Sequence, residues 1–156
     1  MPDVFLPGNL IRIKDFEFED GTVRDKYLFV LLRNNFAAYV ISSFTTSRNK
    51  LSVSATKSGC YFDSRVSTYY HFPAGEVIGT GNFSFDKETY IFFRENVRKF
   101  LVSDLSEYGS VADPFAIAHV ATLHDMELKK FLQCVVTSKF TPEDLKTELA
   151  AFRDSL

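Results

Sequence analysis

The chain has 156 residues, 46% hydrophobic and 24% charged, with a formal net charge of −2. That length and balance suit one folded domain with a sizeable core and exclude a disordered polyelectrolyte. The near-neutral charge also excludes a protein that holds nucleic acid by a broad basic footprint, since residues 1–60 carry eight Lys/Arg against six Asp/Glu and the remainder ten against fourteen.

Aromatic content is high, with 17 Phe, 7 Tyr and no Trp; these residues favour strands and large cores. No apolar run approaches the ~18 residues of a membrane span. The segment from Met1 to Gly8 has neither a basic start nor a long apolar stretch, so no secretory signal is expected and a cytoplasmic location is. Cys60 and Cys134 match no metal spacing and read as reduced thiols. No metal or other cofactor is expected.

From the N-terminus, Leu10, Arg12 and Lys14 alternate with Ile11 and Ile13, a period of two that predicts a strand, and Asp20-Gly21 is a turn signal. Tyr27 to Leu32 is a continuous apolar run, as expected of a strand buried on both faces, and Arg33-Asn34-Asn35 ends it. Phe36 to Phe44 and the shorter stretch 51–55 predict further strands, with a turn at Lys57-Ser58-Gly59-Cys60. Ser67 to Phe72, Thr89 to Phe93 and Val97 to Val102 follow, with the turn-rich Gly79-Thr80-Gly81 between.

The last third reads as helical. Asp113-Pro114 predicts a helix start whose body would contain His119. Asp125 predicts a second start, with Leu128, Phe131, Leu132 and Val135 at i, i+3, i+4, i+7. Thr141-Pro142-Glu143-Asp144 reads as a capping box, followed by apolar Leu145, Leu149 and Phe152. The expected architecture is one domain over 1–156, mainly β with C-terminal α-helices (α+β). A small curled sheet or barrel would occupy 1–105, with a helical segment over 110–156 packed on it.

Two loops hold residues suited to phosphate: Arg24 and Lys26 at one, Thr45, Thr46, Ser47 and Arg48 at the other. RNA carries its own nucleophile in the 2′-hydroxyl, so a metal-free ribonuclease needs only to orient it, move a proton and neutralise the phosphorane. A cation and a hydroxyl meet those needs. The bland alternative is solvated turn residues with local side chain to backbone bonds. Arg94, Arg98 and Lys99 are candidates for a nucleic-acid groove, with Tyr69, Tyr70 or Phe83 for base stacking; the competing reading is a charged strand edge. His71, His119 and His124 show no metal spacing, and Cys60 has no adjacent base.

Three separated blocks carry a family resemblance. Gly8-Asn9-Leu10-Ile11-Arg12-Ile13-Lys14 is followed by an acidic-Gly loop, a cation and a buried strand; Phe44-Thr45-Thr46-Ser47 ends the next strand; and Ile91-Phe92-Phe93-Arg94 runs into Glu95-Asn96-Val97-Arg98. In this order they resemble the MazF/PemK family of toxin endoribonucleases over roughly residues 8–100. Lys26 stands where the family opens its buried strand with Arg, Ser47 and Asn96 stand where Gln is usual, and Thr45 takes the position of the family's active-site Thr.

The resemblance implies an SH3-like barrel and a metal-independent, sequence-selective endoribonuclease, the toxin of a toxin–antitoxin pair. It implies Lys26 (or Arg24) for proton transfer and phosphorane neutralisation, Thr45 on the scissile phosphate, and Thr46, Arg48, Asn96 and Arg98 on the RNA strand. Expected partners are single-stranded RNA, a protein antitoxin and a second copy of the chain in a homodimer, with no membrane. The alternatives are a non-catalytic barrel that binds protein or nucleic acid, and a housekeeping protein that keeps the barrel without touching RNA.

Overall fold

The computed structural model describes residues 4–17, 21–42, 44–45, 57–94, 97–103 and 116–156, with the backbone alone described at 16, 17, 24, 40–42, 44 and 45. The described residues form two antiparallel sheets and two C-terminal helices. The first sheet holds β1 (Asn9–Glu17), β2 (Val23–Arg33), β3 (Ala37–Ser42), β8 (Val97–Leu101) and β9 (Ile117–Thr122) in the order β8-β3-β2-β1-β9. The second holds β4 (Phe44–Thr45), β5 (Gly59–Asp63), β6 (Ser67–Phe72) and β7 (Thr89–Phe92) in the order β4-β7-β6-β5.

The apolar run in β2 makes it the central strand of its sheet. Leu28 to Leu31 are all buried, and alternation sends them to opposite faces. Phe29 and Leu31 join Leu10 in the main core with Tyr70, Phe72 and Ile91 of the second sheet and Phe93 just after it. Leu28 and Val30 join Phe5, Ile11, Ile13 and Ala38 in a smaller core on the opposite face. The hairpin from β2 to β3 is closed by Asn34, whose Oδ1 accepts the Phe36 and Ala37 N–H groups at 2.9 and 2.7 Å.

The stretch expected as one strand to Phe44 is divided. β3 ends at Ser42 in the first sheet, and Phe44 already pairs with Tyr90 in the second. Among the described residues no ladder joins the two sheets, so the closed barrel expected from the sequence is not found. The stretch 51–55, expected as a strand, lies outside the described residues.

The expected helix after Asp113-Pro114 is replaced, from Ile117 onward, by β9. This strand pairs with β1 across a long sequence separation, Asn9↔Thr122 to Ile13↔Ile117. Such pairing overrides local helix signals. His119 therefore sits exposed on a strand, its Nε2 2.9 Å from Thr122 Oγ1. Gly79 allows the neighbouring turn to close on β9: a Cβ there would come within 2.6 Å of the Thr122 carbonyl oxygen.

Helix α1 (Asp125–Thr137) buries Leu128, Phe131, Leu132 and Val135 as its spacing predicts, with His124 at the N-cap. Helix α2 (Glu143–Ser155) buries Leu145 and Leu149. The expected capping box does not form, because Pro142 takes the N-cap position. The Thr141 hydroxyl instead donates to the Val135 carbonyl at 2.7 Å, satisfying one of the open acceptors at the end of α1. Cys60 and Cys134 form a disulfide, with Cα atoms 5.4 Å apart, tying β5 to α1. This corrects the reading of reduced thiols: the two are distant in sequence and adjacent in the fold.

Candidate functional site

Strand register places the sequence-derived candidates. Lys26 lies opposite Ile13 and Arg24 opposite Phe16. Lys26, Leu28 and Val30 alternate onto one face of β2, the face of the smaller core. Val30 pairs with Val40, and Val40 pairs with Arg98. Directly opposed residues share a face, so Lys26 and Arg98 project from the same side of the first sheet. With ~3.3 Å per residue along a strand and ~4.8 Å between strands, their Cα atoms are about 16 Å apart. Lys26 is half-buried and Arg98 exposed.

The end of β3 and the start of β8 lie at one end of this sheet, and the start of β2, whose pairing with β3 begins only at Leu28, runs on beyond them. The chain leaves the sheet for β4 at the same end, and Thr45 lies opposite Thr89 there. The segments that carry Arg24, Lys26, Thr45 and Arg98 thus lie toward one end of the sheet, spread over more than the roughly 16 Å that separates Lys26 from Arg98. Thr46, Arg48 and Asn96 lie outside the described residues. The proposed stacking residues Tyr69 and Tyr70 are fully buried, and Phe83 packs against the main core; β6 alternates between two covered faces, so Tyr69 and Tyr70 have no surface to offer a base.

A second constellation, which the sequence reading did not find, centres on Ser58, Glu76, Glu127, Lys130 and Tyr70. Glu76 Oε2 accepts the Ser58 N–H at 2.8 Å. Ser58 Oγ lies 3.1 Å from Glu76 Oε1 and 3.0 Å from Glu127 Oε2, so its single proton serves one carboxylate at a time. Tyr70 Oη donates to Glu127 Oε1 at 2.7 Å. Lys130 Nζ supplies the positive charge, 3.2 Å from Ser58 Oγ and 3.4 Å from Glu127 Oε2. Burial, and then the Glu127 charge, push the Tyr70 phenol far above its ordinary range. This arrangement commits Lys130 to Glu127 and encloses Ser58 between acids, which suits a polar staple from α1 to the β5 and Glu76 loops rather than a nucleophile and base. The signal in the sequence was an acid at position 127, beside Leu128 and four residues before Phe131, on a helix face that is otherwise apolar.

The opposite face of the second sheet is aromatic. The buried His71 ring stacks on Tyr90 with centroids 4.5 Å apart, and Tyr61 and Tyr69 stack at 6.0 Å. His71 Nε2 lies 3.4 Å from Glu88 Oε2. Burial raises the Tyr69 phenol above its usual range. Among the described residues, no group of three or more His, Cys, Asp or Glu is placed to hold a metal ion, and no helix is long and apolar enough to cross a membrane. Comparison with family models, with curated proteins and with solved structures finds no match to this chain.

Proposed function

We propose that this chain is a metal-independent endoribonuclease of the MazF/PemK kind, cutting single-stranded RNA through the substrate's own 2′-hydroxyl. The observation that carries the reading is the shared placement of Lys26 and Arg98 on one sheet face, at the end where the chain crosses toward Thr45. A strand of RNA laid across that end would meet one cation at the reacting phosphate and another a few nucleotides away. Local placement of this sort is what a near-neutral protein requires for phosphate recognition.

In this mechanism the 2′-oxygen attacks the adjacent phosphorus, the bond to the 5′-oxygen breaks, and a 2′,3′-cyclic phosphate remains. Lys26, or Arg24, moves the proton and neutralises the phosphorane. Thr45 hydrogen-bonds the scissile phosphate, while Thr46, Arg48, Asn96 and Arg98 hold the strand. Lys at position 26 is a point donor where a guanidinium would grip as a fork, so a slow enzyme is expected. On the same reading the two sheets are the halves of an SH3-like barrel, the protein forms a homodimer, and a protein antitoxin silences it. A cytoplasmic location belongs to this reading too, and the Cys60–Cys134 disulfide weighs against it, since disulfides are uncommon where thiols are kept reduced.

The test is incubation with single-stranded RNA in EDTA, followed by end-group analysis. Cyclic-phosphate ends that disappear with Lys26→Ala and Thr45→Ala support the enzyme. Binding without cleavage assigns the same face to a non-catalytic module, and neither binding nor cleavage removes RNA from the account.

A further inference from the structure

Helix α1 carries a stripe that neither the core nor the RNA reading uses. Met126, Lys129, Lys130 and Gln133 recur at i, i+3, i+4 and i+7, and together with Arg153 of α2 and Cys60 of β5 they line an open groove of about 560 Å³. Met126 is 83% exposed and contributes an apolar side chain to the groove. Its thioether is flexible and polarizable, suited to surfaces that repack against a partner. The disulfide fixes the floor of the groove by joining β5 to α1.

Among the described residues the charged side chains that line the groove are all cations. Lys129 has no polar partner among the described residues. Lys130 touches Glu127 and Ser58 and keeps half its side chain exposed. Arg153 contacts Asp154 and Gln133. Three cations line the groove directly, while Glu127 and Asp154 stand behind two of them and Asp125 stands at the start of α1.

We infer that this groove binds a short acidic amphipathic helix of a partner protein. From Met126 to Gln133 the stripe extends about 10 Å, close to two helical turns. A helix laid along it presents one apolar side chain to Met126 and the disulfide, and carboxylates three or four positions away to Lys129 and Arg153. Nucleic acid fits less well: among the described residues the lining surface is mostly aliphatic and holds no aromatic ring on which a base would stack. The inference stands apart from the RNA reading, because it uses neither Lys26 nor Thr45.

A fluorescein-labelled 16-residue helical peptide, with Leu along one face and Glu flanking it, serves as the probe, read by fluorescence anisotropy. Micromolar binding is expected, weakening at least tenfold in a Lys129→Glu, Arg153→Glu double variant and several-fold in Met126→Ser. Circular dichroism should stay unchanged in all of these, because every substituted side chain lines the groove rather than the core. A matched peptide with Lys in place of Glu should not bind. Absence of binding by the Glu peptide, equal binding by the Lys peptide, undiminished binding by the double variant, or displacement of the peptide by an oligo-uridine each overturns the inference.

Discussion

Tyr70 Oη donates to Glu127 Oε1 at 2.7 Å across 57 positions of sequence, joining the middle of β6 to the first turn of α1 inside the protein. Glu127 is buried and accepts from Ser58 as well. Tyr70→Phe removes one donor and leaves a buried carboxylate oxygen without it. The cost is expected at about 1–3 kcal/mol, read as a lowered urea midpoint with an unchanged slope. A midpoint equal to that of the unsubstituted protein would show that the contact contributes nothing net.

Tyr70 also predicts a dependence on alkali. Its folded-state phenol is raised well above the unfolded value of about 10. Below pH 10 both states hold the proton and its contribution is fully present. Above pH 10 the unfolded chain sheds the proton while the folded one keeps it, so stability falls by up to about 1.4 kcal/mol per pH unit from this group. Denaturant titrations between pH 9 and 11 should show that fall, and Tyr70→Phe should make it shallower. Equal slopes for the two proteins would contradict the assignment.

The Cys60–Cys134 bond closes a loop across 74 positions of sequence. A loop of that size is worth about 4 kcal/mol by the chain-entropy model. Unfolding with and without a reducing agent should differ by roughly that amount. Thiol titration of the denatured, unreduced protein should find no free cysteine. Two titratable thiols before reduction would return the cysteines to the reduced state expected from the sequence.

Gly79 lies under β9, with the Thr122 carbonyl oxygen 2.6 Å from where a Cβ would stand. That neighbour is backbone, held in place by the Thr122 N–H bond to Thr80 Oγ1 at 3.0 Å. Gly79→Ala should therefore cost about 1–3 kcal/mol through overpacking, measured as a drop in melting temperature. Gly75→Ala, at a turn with open space around it, gives a comparison in which positive φ rather than crowding sets the penalty.

The parts of this fold that were legible in the sequence are those set by local pattern. The run Tyr27–Leu32 announced a strand covered on both sides, and Leu28 to Leu31 are buried. The spacing of Leu128, Phe131, Leu132 and Val135 announced the buried face of α1. What was not legible depended on partners distant in the chain. β9 forms because β1 offers it a ladder, and nothing near Ile117 reveals that. The disulfide joins cysteines whose proximity exists only after β5 packs on α1. The stretch from Phe36 to Phe44 pairs in one sheet up to Ser42 and in the other from Phe44, and the Ser42-Ser43 step that interrupts its apolar run was passed over as part of one strand. Within the candidate site, Lys26 and Arg98 were named from separate motifs, and only the β2-β3-β8 register puts them on one face. The Ser58–Glu127 staple was hidden because its residues come from four separate segments.

The proposed cleavage requires Lys26 and Thr45 to act on one RNA phosphate. The most direct measurement is single-stranded RNA incubated with the purified protein in EDTA, with mass spectrometry of the fragment ends. Fragments with 2′,3′-cyclic phosphate and 5′-hydroxyl ends are expected, at a rate lowered at least a hundredfold by either Lys26→Ala or Thr45→Ala, each a loss of about 2.7 kcal/mol or more of transition-state stabilisation. Intact RNA with the unsubstituted protein, or cleavage that survives both substitutions, would contradict this proposal.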